Sequence, residues 1–424
     1  MKYYCDLHLH GRYSRGTSKD LDIKSLEKYA RIKGLSLLGT GDFTHPKWME
    51  EINENLKENE NGILYTKTGF PFIWQTELSF IYSQANKTRR IHLIVLAPNQ
   101  DVVKQISYFL LKKGRLDYDG RPIFGMSCIE FTEAMTGISP DIEIIPAHAW
   151  TPWYSIFGSM SGFDSIEECF LDKSKYIHAI ETGMSSDPAM NWRLSKLDNI
   201  TLVSNSDSHS FWPWRLGREC NVFEMKELSY KEIIKSIRTR ENFLETIEVD
   251  PGYGKYHYDG HRNCGISLNP NESKKYKNIC PKCRKPLTIG VLHRVEELAD
   301  REDGFKPKNA IPFKSLIPLS ELISFANGST MFSQKTWKEY YNLINKFGSE
   351  FNVLLDADEE ELKKITSEKL AELIIKNRNH KLKIEPGYDG EYGKLILGER
   401  HVVVKDENKN LENAGGQKAL NEFF

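Results

Sequence analysis

Eight histidines and carboxylates in the first half of this 424-residue chain lie at or just past the ends of short apolar runs: His8, His10, Asp42, Glu77, His92, His148, Asp207 and His209. Such scattered residues meet only if the runs are strands whose C-terminal ends share one rim. The runs YYCDLHL, LSLLGTGD, FIWQTEL, RRIHLIVLAP, IEIIPAHAW, IHAIET and ITLVSNSDS succeed one another over residues 1–250, with LDIKSLEKYARIKGL reading as a helix between the first two. This alternation predicts an α/β domain. Ligands drawn from many strands favour a barrel over an open sheet, whose sites gather at one switch point.

A rim crowded with imidazoles and carboxylates is a metal site by its chemistry. His8 and His10, two apart on a strand, point to the same side and can grip one ion, and Asp207 with His209 repeats the spacing. Glu77 has two oxygens with which to bridge a pair of ions, and His92 and His148 complete a second shell. Two ions sharing a carboxylate suit in-line displacement at phosphorus, because the incoming and leaving oxygens are both charge-stabilised. The expected chemistry is phosphoester hydrolysis, with Asp207, Glu77 and His209 as the catalytic residues. His178 and His257 lack this context and read as ordinary hydrogen-bonded histidines.

The character changes after residue 250. His261, Cys264, Cys280 and Cys283 form the pattern H-x2-C-x15-C-x2-C, which suits a closed tetrahedral structural zinc, with His257 and His293 as competitors for the fourth ligand. Between the pairs runs a basic loop with Lys274, Lys275 and Lys277 and no acidic residue from Lys274 to Lys285, a candidate contact for a phosphate backbone. From residue 307 to 405 the segments KTWKEYYNLINKF and DEEELKKITSEKLAELIIKNR read as helices, closing on EPGYDGEYGK. Residues 406–424 read as a polar, flexible tail ending in QKALNEFF.

Composition excludes several classes. With 7 cysteines, three of them inside the zinc pattern, a disulfide framework is not expected, and Cys5, Cys128, Cys169 and Cys220 read as small buried thiols. The N-terminus has no apolar signal region and no run reaches the length of a membrane span, so the expected location is the cytosol, away from membranes. A formal charge of -1 gives no global basic field, so nucleic-acid contacts would depend on local patches.

With H-x-H on an N-terminal strand, a glutamate on a middle strand, later single histidines and a closing D-x-H, residues 1–250 resemble the polymerase and histidinol phosphatase (PHP) domain, a distorted (β/α)7 barrel with a two- or three-metal phosphoesterase site. The resemblance implies that His8, His10, Glu77 and Asp207 hold one ion, and Glu77, His92 and His148 the next. Asp42 and His209 are left to bind a third ion or to orient the other ligands. This chain reads Gly41-Asp42-Phe43 where the family often has an aspartate–histidine pair, and a GRYSRG loop replaces a further histidine. Zinc, manganese and magnesium all suit such a mixed shell.

The order of this barrel, a zinc ribbon (251–306) containing GKYHYDGHRNCG and VLHRVEELADR, and a helix-rich region (307–405) ending in EPGYDGEYG resembles the endonuclease Q family over essentially the whole chain. The resemblance implies a DNA repair endonuclease that nicks 5′ of deaminated bases (uracil, hypoxanthine, xanthine) and abasic sites. It further implies a DNA-binding role for the helical region and a link to the archaeal sliding clamp, PCNA. Gln417, Leu420, Phe423 and Phe424 match the clamp-binding pattern Q-x-x-L-x-x-F-F. A damaged base must leave the stack to be read, which makes Trp150, Trp153, Trp212 and Trp214, beside the ligand histidines, candidates for stacking, and Ser185 and Ser186 candidates for a base edge. The expected form is a monomer. The alternative is a histidinol phosphatase-like phosphomonoesterase acting on a small molecule, which has no use for the ribbon, the basic loop or the clamp box.

Overall fold

The computed structural model describes residues 1–397 and 400–401, so the clamp-binding residues Gln417, Leu420, Phe423 and Phe424 lie outside the described residues. The chain is mixed α/β up to about residue 250 and helix-rich beyond residue 318. Among the described residues no helix is long and apolar enough to cross a membrane.

Local signals set the first helix. In Ile23–Lys33 the Asp22 side chain accepts the Ser25 N–H at 2.7 Å, and Gly34 ends the helix at φ 98°, a left-handed conformation that only glycine adopts without strain. The intervening Leu26, Tyr29 and Ala30 are buried on one face, Tyr29 against Phe211 and Trp212, worth about 1.5–3 kcal/mol for each large side chain.

The strands divide among three ladders near the site. An eight-stranded sheet runs, in spatial order, through Phe313–Ser315, Phe243–Glu248, Cys220–Glu224, Lys2–Asp6, Leu37–Gly39, Pro71–Ile73, Leu64–Tyr65 and Lys57–Glu58. A four-stranded sheet holds Ile123–Phe124, Gln75–Gln84, Lys87–Leu96 and Glu143–Pro146, and a two-stranded one pairs Ala179–Glu181 with Thr201–Val203. Backbone hydrogen bonds between these ladders include Ala97 N–H to Trp74 O, Ala149 N–H to Glu181 O, and His10 N–H to Ser208 O, the last beside an isolated bridge between Leu9 and Ser208.

C-terminal strand ends that all share one rim would make the strands parallel, and this expectation needs correction. Lys87–Leu96 runs antiparallel to Gln75–Gln84, and Cys220–Glu224 antiparallel to Lys2–Asp6. Strands buried on both faces have the same apolar look in either direction. Direction is decided here by the two-residue turn at Ala85 and Asn86, whose φ values of 52° and 57° match a hairpin.

Beyond residue 306 the segments return to the α/β body. Phe313–Ser315 extends the large sheet beside Phe243–Glu248, and Gly387 and Gly393 donate backbone bonds to Gly252 and Tyr253. The helix Gln334–Phe347 sets Trp337 against Trp212 and Trp214, and Glu350 accepts a 2.7 Å bond from the buried Lys33. The long C-terminal helical pattern is two helices, Glu359–Ile365 and Glu368–Arg378, because the Ser367 side chain caps the second at the Leu370 N–H.

Candidate metal centre

Glu77, third residue of Gln75–Gln84 and fully buried, stands between two groups of donors. Its Oε2 lies 3.2 Å from His10 Nε2 and 3.7 Å from His8 Nε2. Its Oε1 lies 2.8 Å from His92 Nδ1 and 3.2 Å from His148 Nε2. Asp207 Oδ1 completes the first group, 3.2 Å from His10 Nε2 and 3.7 Å from His8 Nε2. Within each set, His8/His10/Glu77/Asp207 and Glu77/His92/His148, the potential ligand atoms lie within 4.8 Å of one another.

Two further carboxylates orient the imidazoles. Glu181, also fully buried, accepts from His8 Nδ1 at 3.0 Å and from the His148 backbone N–H at 2.7 Å. That leaves His8 Nε2 buried without a hydrogen-bond partner, facing Glu77 and Asp207. A desolvated nitrogen lone pair costs free energy unless something fills it, and a cation among these donors fits. Asp42 accepts from His10 Nδ1 at 3.0 Å, from Gly11 N–H at 2.7 Å and from Ser14 Oγ at 2.8 Å, which turns His10 Nε2 toward Glu77. Asp42, His148 and Asp207 hold φ of 32°, 31° and 47°, a conformation costing non-glycine residues of order 1–3 kcal/mol, which is the kind of strain that functional sites retain.

Burial opposes every charge here, and the neighbours decide the outcome. For His8 burial is outweighed by Glu181, Glu77 and Asp207, and for His10 by Asp42 and Asp207, so both imidazoles sit well above the ordinary histidine value. Burial would raise Glu77, yet His92, Arg121 and His8 hold it well below the usual carboxylate range, and His10 and His8 do the same for Asp207. His92 and His209 are pushed down to about 4, chiefly by burial. A cation entering this site displaces protons from His8 and His10.

The eight candidates from the sequence thus separate by position. Glu77 and His92 are inside long strands rather than at their ends, because those strands run on past the rim as a hairpin. Asp42 is not among the converging donors; it backs His10. His209 is also outside the two sets, with its Nδ1 donating to Asp207 O at 3.0 Å and its ring 4.3 Å from that of His10. Two functional residues escaped the sequence reading. Glu181 closes the run IHAIE and carried the same end-of-run signal as the others. Arg121, whose Nη1 donates to Glu77 Oε2 at 2.8 Å, comes from the turn-rich stretch DYDGRP and carried none.

Three of the four candidate tryptophans are buried. Trp150 is 1% exposed and donates to Asn191 Oδ1 at 2.7 Å; Trp212 and Trp214 are buried against Trp337, filling the junction with the C-terminal helices. Trp153 alone of the four is partly exposed, set edge-on to Tyr256. Ser185 and Ser186 are buried, and the Ser186 hydroxyl is committed to Thr182 O. Lys274, Lys275 and Lys277 are exposed. His261, Cys264, Cys280 and Cys283 converge within 4.8 Å, whereas His293 is held by Asp259 at 2.5 Å and does not compete.

Comparison with known proteins places this geometry. The lesion-specific endonuclease PfuEndoQ from Pyrococcus furiosus superposes with a TM-score of 0.85 at 31% identity, over 98% of this chain and 99% of that one. The chain belongs to the endonuclease Q family. A solved endonuclease Q, in complex with a 27-mer duplex substrate carrying an abasic lesion at the active site, matches with a TM-score of 0.85 at 32% identity over 94% of this chain and 97% of that one. An uncharacterized protein, MJ0043 of Methanocaldococcus jannaschii, is 36% identical over 311 residues, 72% of this chain; those residues span only 37% of the length of that relative. The MJ0043 C-terminal domain family matches residues 318–381, within the helix-rich region that the endonuclease Q fold shares.

Proposed function

We propose that this protein is a metal-dependent DNA repair endonuclease that nicks the phosphodiester 5′ of deaminated bases (uracil, hypoxanthine, xanthine) and of abasic sites, after extruding the damaged nucleotide. The observation that carries the reading is Glu77, one buried carboxylate with an oxygen facing each of two donor sets. Its likeness to a lesion-specific endonuclease along nearly its full length supports the choice of substrate.

His8, His10, Glu77 and Asp207 would hold one divalent ion, zinc, manganese or magnesium, and Glu77, His92 and His148 a second; Asp42 and His209 orient them rather than bind a third. Bound there, such ions supply Lewis-acid activation of the nucleophile and neutralise charge at phosphorus. The chain's own residues do the positioning. Glu181 and Asp42 fix the tautomers of His8 and His10. The Nδ1–H of His209 is engaged by Asp207 O, which leaves Nε2 of this neutral, partly exposed ring to accept a proton.

A structural zinc at His261, Cys264, Cys280 and Cys283 would hold the loop of Lys274, Lys275 and Lys277 rigid against DNA, with Trp153 as the aromatic contact. We take the chain as a PHP barrel (1–250), a zinc ribbon (251–306), a DNA-binding helical region (307–405) and a clamp-binding tail (406–424), acting as a monomer. The test is incubation with labelled duplexes bearing uracil, hypoxanthine, xanthine, an abasic site or no damage, with the cut mapped on a gel. A metal-dependent nick 5′ of the lesion is expected. Equal cutting of undamaged DNA removes the lesion claim, and hydrolysis of small phosphomonoesters with all duplexes intact removes the endonuclease.

A further inference from the structure

The donor sets are assembled from histidines and carboxylates, yet a guanidinium shares their centre. Arg121 Nη1 sits 2.8 Å from Glu77 Oε2, the same oxygen that faces His8 and His10. Among the described residues this is the only hydrogen bond its guanidinium makes, although an arginine offers five donors in a planar fork. The side chain is 24% exposed, so the fork is not enclosed in the core.

The backbone that presents it is pinned to the loop after His10. The amides of Arg15 and Arg121 both donate to Asp119 Oδ1, at 3.3 and 3.2 Å, and Gly120 N–H donates to Tyr13 O at 3.2 Å. A Cβ on Gly120 would collide with Ser14 Oγ and the Asp42 carboxylate, so residue 120 can approach this closely only as glycine. The charge of Arg121 is felt at both donor sets: it helps to lower Glu77, His92 and His209.

An arginine serving only to balance Glu77 would have its remaining donors buried and matched. Here they are not. The lone pairs of Glu77 Oε2 that accept Arg121 are also the ones a cation among His8, His10 and Asp207 requires, so Arg121 must give way or share when the site is loaded. A planar fork pairs closely with phosphate oxygens, more so than with any other group a nuclease substrate brings to this rim. We infer that Arg121 is a substrate-contacting residue, with Glu77 as its partner until cations engage that carboxylate, after which the guanidinium grips a non-bridging oxygen of the scissile phosphate. The inference rests on the endonuclease reading above.

The test compares two lesion-bearing duplexes on metal-loaded protein, one with an uncleavable, charged phosphonate at the nicking position and one with a neutral methylphosphonate there. Wild type should bind the charged duplex roughly tenfold to a hundredfold tighter. R121Q and R121A should lose that preference, and R121K should recover part of it as a point charge. A chelator competition titration run in parallel reads metal affinity, which should not fall in R121Q. If R121Q keeps the wild-type preference, or loses only metal affinity, the phosphate contact is overturned. A wild-type protein that fails to nick a cleavable lesion duplex refutes the endonuclease reading instead, and Arg121's role with it.

Discussion

Glu248 offers a quantitative test of how this protein is put together. It ends the strand Phe243–Glu248 wholly buried, accepting from Thr182 Oγ1 at 3.0 Å, Ser204 Oγ at 2.9 Å and Thr246 Oγ1 at 2.5 Å. Burial, with no cation paired to it, pushes its carboxyl up to about 8 from an ordinary 4.5. Glu219 beside it, also fully buried and with Oε2 unpartnered, is raised as well, by burial and by Glu248. Between those two values the folded chain holds a proton that the unfolded chain has released, so stability is greatest below about pH 4.5 and falls as pH rises through about 8. At 1.36 kcal/mol per unit, the loss is about 3 kcal/mol at pH 7 and about 5 kcal/mol above pH 8. Glu248→Gln removes the charge, and its three hydroxyl partners can rotate to accept from an amide. Urea unfolding of both proteins at equal metal concentration should therefore show near-equal stability at pH 5 and a variant about 3 kcal/mol more stable at pH 7, the gap widening to pH 8. A gap that does not change with pH would refute the reasoning, because it would mean that Glu248 is ionised in the fold throughout.

Other perturbations probe the site and its supports. Asp42→Asn removes the carboxylate behind His10 Nδ1 and should weaken metal binding by roughly 10–100-fold in a competition titration; unchanged affinity would show that His10 is oriented by something else. Cys283→Ser should lower the zinc content found by elemental analysis by one equivalent and lower the melting temperature, since three donors hold a structural zinc poorly. Full zinc occupancy in that variant would remove Cys283 from the ligand set. Lys33→Met leaves Glu350 buried at 0% exposure without its cation, and should cost about 3–5 kcal/mol by denaturant titration; a loss below about 1 kcal/mol would mean that Tyr340 and the Leu319 amide satisfy the carboxylate alone.

The donors of the candidate centre were legible because histidines and carboxylates declare themselves by residue type and by a period of two: His8 with His10 needs no tertiary knowledge to be read as a pair on one side of a strand. The convergence of His261, Cys264, Cys280 and Cys283 was legible for the same reason, their short gaps being a local constraint. Arg121 was not, because a turn-rich loop has no periodicity from which to read where a side chain ends up. The burial of Trp212 and Trp214 was not legible either, because closeness to Asp207 and His209 in sequence says nothing about which way a ring faces; the docking of Trp337 from 120 or so residues away decided it.

The amino-acid sequence by itself determined the donor chemistry, the α/β character of the first 250 residues and the helices that follow. Only the tertiary structure decided which donors became partners: that Glu181 and Asp42 stand behind the imidazoles, that Glu77 lies between both sets, and that an arginine meets it. Coordination and hydrogen bonding act over about 3 Å, whereas these groups lie 30 to 200 residues apart along the chain, and strand order, direction and loop anchoring alone close that distance.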